Sequence, residues 1–428
     1  MTLILILLLA VVHGGSSVDF EEFVATFQKK YSTMEEKNYR RAIYGMNQKE
    51  IHLLNKQHNP QTTYGVNKFS DLTKDEFRAS HGYRAPSAVR EMTYDRSFIP
   101  SNTFPSAWDW RSHGAVTAVK DQAQCGSCWA FSTVGGIEGQ HFLAGFDLTA
   151  LSEQELVSCD TIDTGCDGGD IGSAMQWLVR SNDGWLTSEK DYPYTSGGGV
   201  NGTCLLPKPK VAHIYAHVDI PSNETVMADY LQQNGPLAVC VDAASWQSYS
   251  GGILKGCGLV VDHCVTTVGY NLANNPPYWI VKNSWNTDWG IDGYIYIEFG
   301  KNLCNINSEP RRALVEKVGP TPPPTPQPPS PTPVPRPDNS SYVQYSCAKD
   351  SNCVLASCTK ETHHSGECVS NFDGNVSAIA HCDNVLGFLR VVNYAGVGCK
   401  SSSQLVDQDL NMCFNFNENY YYNVCPHA

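Results

Sequence analysis

A run of prolines limits what this chain can fold into more than any other feature. Eleven of the nineteen residues from 319 to 337 are proline. Proline fixes φ and has no backbone N–H, so neither a helix nor a sheet can continue through this run. We expect a polyproline II spacer, roughly 60 Å long if fully extended. The sequence therefore predicts separately folded parts before and after it.

The 17 cysteines indicate an oxidising compartment. None lies in 18–102, nine lie in 103–318 and eight in 338–428. A short apolar run followed by small residues predicts a signal peptide over 1–17, with an N-terminal anchor as the alternative. Four Asn-x-Ser/Thr triplets agree with a secretory route and predict glycosylation at Asn201, Asn223, Asn339 and Asn375.

The distribution of charged residues also divides the chain into two parts. The net charge of −13 argues against a nucleic-acid partner, and no apolar run is long enough to span a membrane. Residues 18–102 carry 13 Lys and Arg against 11 Asp and Glu, whereas residues 103–428 carry 17 against 32. This difference in sign predicts a detachable segment that lies on an acidic partner.

The cysteine-free segment carries a helical signal. Residues at spacings of three and four mark one stripe of a helix, namely Glu36, Arg40, Tyr44, Asn47, Ile51 and Asn55. The stretch 65–71 that follows has a strand-like alternation. We therefore expect a long helix followed by a strand.

The strongest chemical signal is the run QAQCGSCWAF at 122–131. Its two cysteines could form a redox dithiol, or Cys128 could be a nucleophile while Cys125 is tied up structurally. The residues that follow are helical in character, so Cys128 would lie at a helix N-terminus, where the macrodipole favours a thiolate. A nucleophilic cysteine also needs a histidine and a group that orients it.

Two downstream segments offer those partners. His263 lies in VVDHCVTTVGY at 260–270, whose β-branched residues predict a strand with the histidine on one face. Asn283 lies in YWIVKNSW at 278–285. Because the chain has 13 histidines, any one of them can equally be a surface or core residue.

These segments resemble those of papain-family cysteine proteases of the cathepsin L type, of which the CGSCW run is a known signature. The resemblance covers about residues 20–318 and includes the GCDGG run at 165–169. The helix stripe and 65–71 resemble the family's inhibitory propeptide. The spacer and tail resemble the C-terminal extension of the trypanosome enzymes.

The resemblance implies an α+β fold. We expect an inhibitory propeptide over 18–102 and a papain-like catalytic domain of two subdomains over 103–318. The first subdomain would be helical, to about residue 210, and the second a β-barrel. The Pro-rich linker at 319–337 and a small cysteine-rich domain at 338–428 would follow.

The resemblance also implies a mechanism. Cys128 attacks the scissile carbonyl as a thiolate paired with His263, which then protonates the leaving amine. Asn283 fixes the imidazole tautomer, and Gln122 and the backbone N–H of Cys128 stabilise the oxyanion. Trp285 shields the His–Asn contact from water.

No cofactor or metal is implied. The implied partners are peptide and protein substrates, the chain's own propeptide and cystatin-like inhibitors.

Setting Cys128 aside leaves eight cysteines in 103–318. By the resemblance, six of them pair as Cys125–Cys166, Cys159–Cys204 and Cys257–Cys304. The remaining two, Cys240 and Cys264, stand at positions that line the family's second specificity pocket. Because both would lie on strands of one small barrel, we expect a fourth disulfide there. Two free buried thiols are the alternative.

The same pocket departs from the family pattern in its charge. Asp170 stands where an apolar residue is common, and Glu309 aligns with a pocket-base position that is acidic in some relatives. Two carboxylates there predict a preference for Arg or Lys over the usual aromatic residue or Leu. In the alternative, Asp170 points into solvent. The substrate contacts expected from the resemblance are Gly168, Gly169, Asp170, Ile171, Cys240, Val261, Asp262, Cys264, Trp285 and Glu309.

The tail cysteines lack the paired C-x₂-C spacing of a zinc site, so we expect disulfides whose pairing is open. The whole chain is then expected to be an endopeptidase made as a zymogen, acting in a lysosome-like compartment or after secretion. Acid would loosen the propeptide as carboxylates such as Asp71 lose charge. The rival hypotheses are a non-catalytic binding protein, disfavoured by the intact catalytic set, and a thiol oxidoreductase, disfavoured by the Cys125–Cys166 pairing.

Overall fold

The computed structural model describes residues 19–58, 61–85, 93–95, 98–101 and 103–316, together with eight tail strands between 341 and 424. The predicted signal peptide, the Pro-rich linker and the predicted glycosylation sites Asn339 and Asn375 lie outside the described residues. The chain divides into two compact units, Met1–Pro322 and Pro323–Ala428. Among the helices described in them, none is long and apolar enough to cross a membrane.

The propeptide consists of three helices and one short strand. The predicted stripe lies on the long helix, where Tyr44 packs its ring 4.7 Å from that of Phe23. Asn47 lies three residues further along and donates to the Ser70 and Leu72 carbonyls, both at 2.9 Å. The stripe therefore faces the rest of the propeptide. The elements are α1 (Phe20–Thr26), α2 (Met34–His58), β1 (Thr62–Tyr64) and α3 (Lys74–Ala79).

The expectation of a strand at 65–71 is wrong, because these residues form turns after β1. The Asn67 side chain fixes the first turn by accepting from the Phe69 N–H at 2.9 Å. Its amide also donates to the Gln247 carbonyl at 2.8 Å. Such an Asx turn overrides an alternating pattern, and it directs the Phe69 ring to within 5.3 Å of the Trp285 ring.

Polar side chains begin the helices of the catalytic part. Ser152, Asp170 and Asn223 each accept hydrogen bonds from backbone N–H groups of the first turn that follows. The helix that begins at Cys128 is buried nearly all round, and Gly135 lets it approach the sheet: a Cβ there would lie 2.6 Å from Thr266 Oγ1. The helices are α4 (Cys128–Leu143), α5 (Glu153–Cys159), α6 (Ile171–Ser181) and α7 (Glu224–Asn234).

The strands of this unit form one ten-stranded sheet, in the order β1-β6-β9-β8-β7-β5-β10-β4-β3, with β2 paired to β7. All pairs are antiparallel except β6 with β9. The propeptide strand β1 therefore extends the sheet of the catalytic part. The other strands are β2 (Ala107–Asp109), β3 (Trp185–Leu186), β4 (Ala212–Asp219), β5 (Leu237–Val241), β6 (Tyr249–Leu254), β7 (His263–Asn271), β8 (Tyr278–Lys282), β9 (Tyr294–Glu298) and β10 (Arg311–Val315).

The second unit is built from two antiparallel four-stranded sheets, with strand orders β12-β11-β18-β17 and β13-β14-β15-β16. The tail cysteines Cys347, Cys368, Cys382 and Cys413 lie on these strands, and the other four lie outside the described residues. The strands are β11 (Ser341–Ala348), β12 (Thr359–His364), β13 (Cys368–Ser370), β14 (Val376–Asp383), β15 (Phe388–Ala395), β16 (Ser403–Asp409), β17 (Cys413–Phe416) and β18 (Asn419–Val424).

Candidate active site

Cys128 is the first residue of α4 and is fully buried. Among the nine cysteines of residues 103–316, it is the one that forms no disulfide. The other cysteine of the CGSC run, Cys125, is bonded to Cys166, so these two cysteines do not act as a dithiol pair. This arrangement leaves Cys128 as a thiol at the positive end of a helix dipole.

His263 begins β7, and Asn283 directly follows β8. Because β7 and β8 are neighbours, the two side chains meet: His263 Nε2 lies 2.8 Å from Asn283 Oδ1. An amide oxygen only accepts, so Nε2 carries the proton and Nδ1 of the neutral ring keeps its lone pair. His263 Nδ1 is buried and makes no hydrogen bond to any described residue. The Trp285 ring stacks on the imidazole at 4.7 Å.

Gln122 joins this group through its side-chain amide. Its Oε1 accepts from Ser284 Oγ at 2.7 Å, which directs Nε2 towards the cleft. Nε2 donates to the Cys125 carbonyl at 3.0 Å and to the Ser80 carbonyl of the propeptide at 3.1 Å. The donor expected to stabilise an oxyanion is therefore already bound to a propeptide oxygen.

The propeptide covers the nucleophile directly. The Gly82 N–H points at Cys128 Sγ at 3.3 Å. The preceding residue, His81, lies with its ring 5.2 Å from that of His263 and its Nδ1 3.1 Å from Asp262 Oδ2. Adjacent propeptide residues thus contact both the cysteine and the histidine of the predicted pair.

The covering segment binds as a strand. Gly169 N–H donates to the Gly82 carbonyl at 2.8 Å, and Arg84 N–H donates to the Gly169 carbonyl at 2.9 Å. Between them, Tyr83 N–H donates to the Asp262 carbonyl at 3.2 Å. Two of the expected substrate contacts, Gly169 and Asp262, therefore hold the propeptide through backbone atoms.

Burial in this covered state disfavours the charged forms of both members of the expected thiolate–imidazolium pair. Burial raises the pKa of the Cys128 thiol to about 12. Burial, followed by the nearby His81, lowers the pKa of His263 to about 3. Both groups are consequently uncharged throughout the neutral and mildly acidic range, so the precursor holds its nucleophile as a thiol.

The four expected pairs of the catalytic part are all disulfides in the structure: Cys125–Cys166, Cys159–Cys204, Cys257–Cys304 and Cys240–Cys264. Cys240 on β5 and Cys264 on β7 stand directly opposite each other in the antiparallel register. Both are buried, in the same hydrophobic cluster as Ile171, and Val261 packs against that cluster.

Asp170 is buried, so the alternative in which it points into solvent is wrong. It caps α6 by accepting from the Gly172 and Ser173 N–H groups, and it binds Arg311 Nη1 at 2.9 Å. Arg311 Nη2 also lies 3.1 Å from Glu309 Oε2. A buried guanidinium therefore binds both carboxylates, and the prediction of a preference for Arg or Lys did not include it.

The expected pocket residues nevertheless lie close together. One side-chain atom of each of Asp170, Cys240 and Glu309 lies within 4.8 Å of those of the other two. Gly168 lies at the entrance, where a Cβ would come within 2.9 Å of the Gly82 carbonyl oxygen. The two predicted glycosylation sites within the described residues, Asn201 and Asn223, are both exposed.

Sequence reasoning missed three residues of this site. His81 and Tyr83 were overlooked because no motif marks the segment that enters the cleft. Arg311 was overlooked although a signal existed: two carboxylates assigned to one buried pocket require a cation nearby. An arginine only two residues after Glu309 could have met that requirement.

Comparisons with known proteins agree with this geometry. Residues 104–314 match the papain family of cysteine proteases, and residues 20–77 match the cathepsin propeptide inhibitor domain (I29). Residues 318–400 match a family described only as a protein of unknown function.

Similar proteins include a cysteine proteinase of Trypanosoma brucei brucei, 42% identical over 94% of this chain and 87% of that protein. Cysteine proteinase B of Leishmania mexicana is 40% identical over 86% of this chain and 84% of its own length. Among solved structures, digestive procathepsin L 3 of Tenebrio molitor superposes with a TM-score of 0.61 at 34% identity. That match covers 69% of this chain and 97% of the procathepsin.

Proposed function

This chain belongs to the papain family of cysteine proteases and is a cysteine endopeptidase made as a proenzyme, and we propose that it cleaves peptide bonds through an acyl-enzyme on Cys128. The observation that carries the proposal is the His263–Asn283 contact of 2.8 Å, because it leaves the Nδ1 lone pair available to take the thiol proton.

In the proposed cycle, the Cys128 proton moves to His263 Nδ1 and the thiolate attacks the scissile carbonyl carbon. The resulting oxyanion is bound by Gln122 Nε2 and the Cys128 backbone N–H. His263 returns the proton to the leaving amine as the C–N bond breaks. Water, deprotonated by the same Nδ1, then hydrolyses the thioester and restores the thiol. The Ser80 carbonyl on Gln122 is the feature of the precursor that blocks oxyanion binding.

The second pocket sets specificity in this proposal. A preference for Arg or Lys depends on excess negative charge there, and Arg311 removes part of that charge. The high cysteine content supports a secretory setting for the enzyme, because disulfides persist in oxidising compartments. Activation by acid would suit a lysosome-like destination.

Acid activation follows from proton linkage at His263. In the covered state its pKa is about 3, whereas an uncovered imidazole returns towards its ordinary value of 6.5. The uncovered form therefore binds a proton that the covered form excludes. As the pH falls from about 6.5 towards about 3, the covered state progressively loses stability relative to the open state.

We test the proposal by treating the purified precursor with an alkylating peptide epoxide between pH 4 and pH 8. We expect little labelling of Cys128 at pH 7 to 8, and labelling that rises below pH 6.5 together with propeptide loss and cleavage of a Phe-Arg fluorogenic peptide. Equal labelling at all pH values would contradict the covered, uncharged thiol. An acid-processed chain that neither labels nor cleaves would contradict the proposed function itself.

A second prediction concerns Asp71, which is buried in the propeptide. Its carboxylate binds Lys29 Nζ at 2.8 Å and accepts from the Tyr31 hydroxyl at 2.9 Å. Asp71→Asn removes the charge and with it the ion pair to Lys29, so we expect propeptide release to begin at a pH about one unit higher. The half-activation pH is read from gels of timed incubations. Asp75→Asn, at an exposed position on α3, is the matched control. An unchanged activation pH in Asp71→Asn would exclude this role.

A further inference from the structure

We propose that the second substrate pocket selects tyrosine, with Glu309 accepting the phenolic hydrogen and Arg311 fixing Glu309 in place. This inference rests on the proposed function, since it concerns the side chain that a peptide substrate inserts beside Gly169. It names Glu309 and Arg311 as specificity-determining residues.

The chain carries a ligand for this pocket in its own propeptide. Tyr83 pairs with Gly169, and its ring packs against the cluster that contains Cys240 and Cys264. Its hydroxyl donates a hydrogen bond to Glu309, and burial together with this carboxylate raises the Tyr83 pKa. A substrate residue that pairs with Gly169 would direct its side chain into the same space. The pocket is therefore already complementary to a phenol.

Arg311 determines what Glu309 can bind. The guanidinium is only 3% exposed and reaches three carboxylates, through Nη1 to Asp170 at 2.9 Å, Nε to Asp219 at 3.1 Å and Nη2 to Glu309 at 3.1 Å. Asp170 is further committed to the backbone of α6. Of the three carboxylates, Glu309 is the one that the Tyr83 hydroxyl reaches.

A cationic substrate side chain would have to share Glu309 with Arg311, whose guanidinium already lies 3.1 Å from this carboxylate and carries the same charge. A neutral hydroxyl donates to the same carboxylate without that repulsion. A phenyl ring fits the walls but has no hydrogen to donate to Glu309, so a substrate with Phe lacks one hydrogen bond to a carboxylate that a substrate with Tyr can make.

The Cys240–Cys264 disulfide also favours an aromatic substrate side chain. Cys240 and Cys264 lie where their free thiols would offer weak polar hydrogens, but bonded together they form an apolar wall. Because Glu309 lies within 4.8 Å of a side-chain atom of Cys240, this wall and the polar end of the pocket are adjacent. The pocket thus presents an apolar side to a ring and an acceptor near the ring's far end.

The first measurement uses the acid-activated native enzyme and three fluorogenic peptides that differ only in the residue before the P1 Arg, namely Tyr, Phe or Arg. We expect kcat/KM for Tyr to exceed the other two by about tenfold, the value of one hydrogen bond to a charged acceptor. Since this comparison needs no variant, it cannot fail through misfolding. Equal or better cleavage of the Phe or Arg peptide, by an enzyme that is active, overturns the pocket inference and leaves the protease function standing.

Two variants test whether Glu309 and Arg311 cause the preference for Tyr over Phe. Glu309→Ala is expected to bring the Tyr:Phe ratio close to one, and Arg311→Lys, which keeps the charge but loses the planar fork, is expected to lower that ratio several-fold. Glu316→Ala removes an exposed carboxylate just after β10 and should keep the native ratio. A native ratio in Glu309→Ala would refute the assignment of the acceptor. If the native chain cleaves none of the peptides and Cys128 does not label, the proposed function fails and the pocket inference fails with it.

Discussion

Replacing Cys128 with alanine is expected to lower kcat/KM for peptide hydrolysis by roughly a million-fold, and His263→Ala by a similar factor. The two residues act as one unit, since the thiol has no base without the imidazole and the imidazole has no nucleophile without the thiol. The double variant should therefore be no worse than either single variant. The measurement is the initial rate on the best fluorogenic peptide.

Because an inactive precursor cannot process itself, the propeptide is removed by an added aspartic protease, which is then inhibited. His141→Ala is the matched control: His141 is also buried, but it lies near the far end of α4, stacked on Phe146 at 4.3 Å. We expect it to keep native activity. More than one per cent residual activity in Cys128→Ala would contradict the assignment of the nucleophile.

Gly82→Ala is expected to remove latency, raising the rate at which the epoxide labels the precursor at pH 7 by about 100-fold. A Cβ at this position would lie 1.7 Å from the Gly126 carbonyl oxygen and 2.1 Å from its carbon. Both are backbone atoms of the CGSC run itself, so neither can rotate away. Overpacking of this kind costs up to about 3 kcal/mol, which corresponds to about a hundredfold more of the open state.

The propeptide offers its own control for this variant. A Cβ added to Gly45 on α2 would have nothing within 4 Å of it, so Gly45→Ala should remain latent. Both variants add one methyl group to the propeptide, and they differ only in the atoms that this group would contact. If Gly82→Ala labels as slowly as the native precursor, then the contact of 3.3 Å between Gly82 N and Cys128 Sγ is not what holds the enzyme inactive.

The sequence predicted the local features of the site best. The start of α4 at Cys128 and a strand that carries His263 both depend on neighbouring residues, and both occur, although β7 begins only at His263 and not at residue 260. The failure at 65–71 is also local in origin, because the Asn67 side chain competes with strand formation and alternation alone does not reveal that competition.

The charge of the second pocket could not be predicted in the same way. Asp170 and Arg311 are 141 residues apart in the chain, and their contact exists only because α6 packs against the sheet that contains β10. No spacing or periodicity reports such a pair. The protonation states of Cys128 and His263 depend likewise on burial by the propeptide, which motifs do not describe.

The pairing of β1 with β6 has a consequence for the mature protein. In the precursor, Thr62 and Thr63 lie opposite Gly252 and Gly251, and Ile253 N–H donates to the Gln61 carbonyl at 2.7 Å. When the propeptide leaves, β6 becomes the outermost strand and these backbone groups lose their partners. Activation therefore leaves β6 as an unpaired edge strand, and its two glycines have no side chains that would obstruct this edge. An extended segment of another polypeptide can be received there by main-chain hydrogen bonding alone.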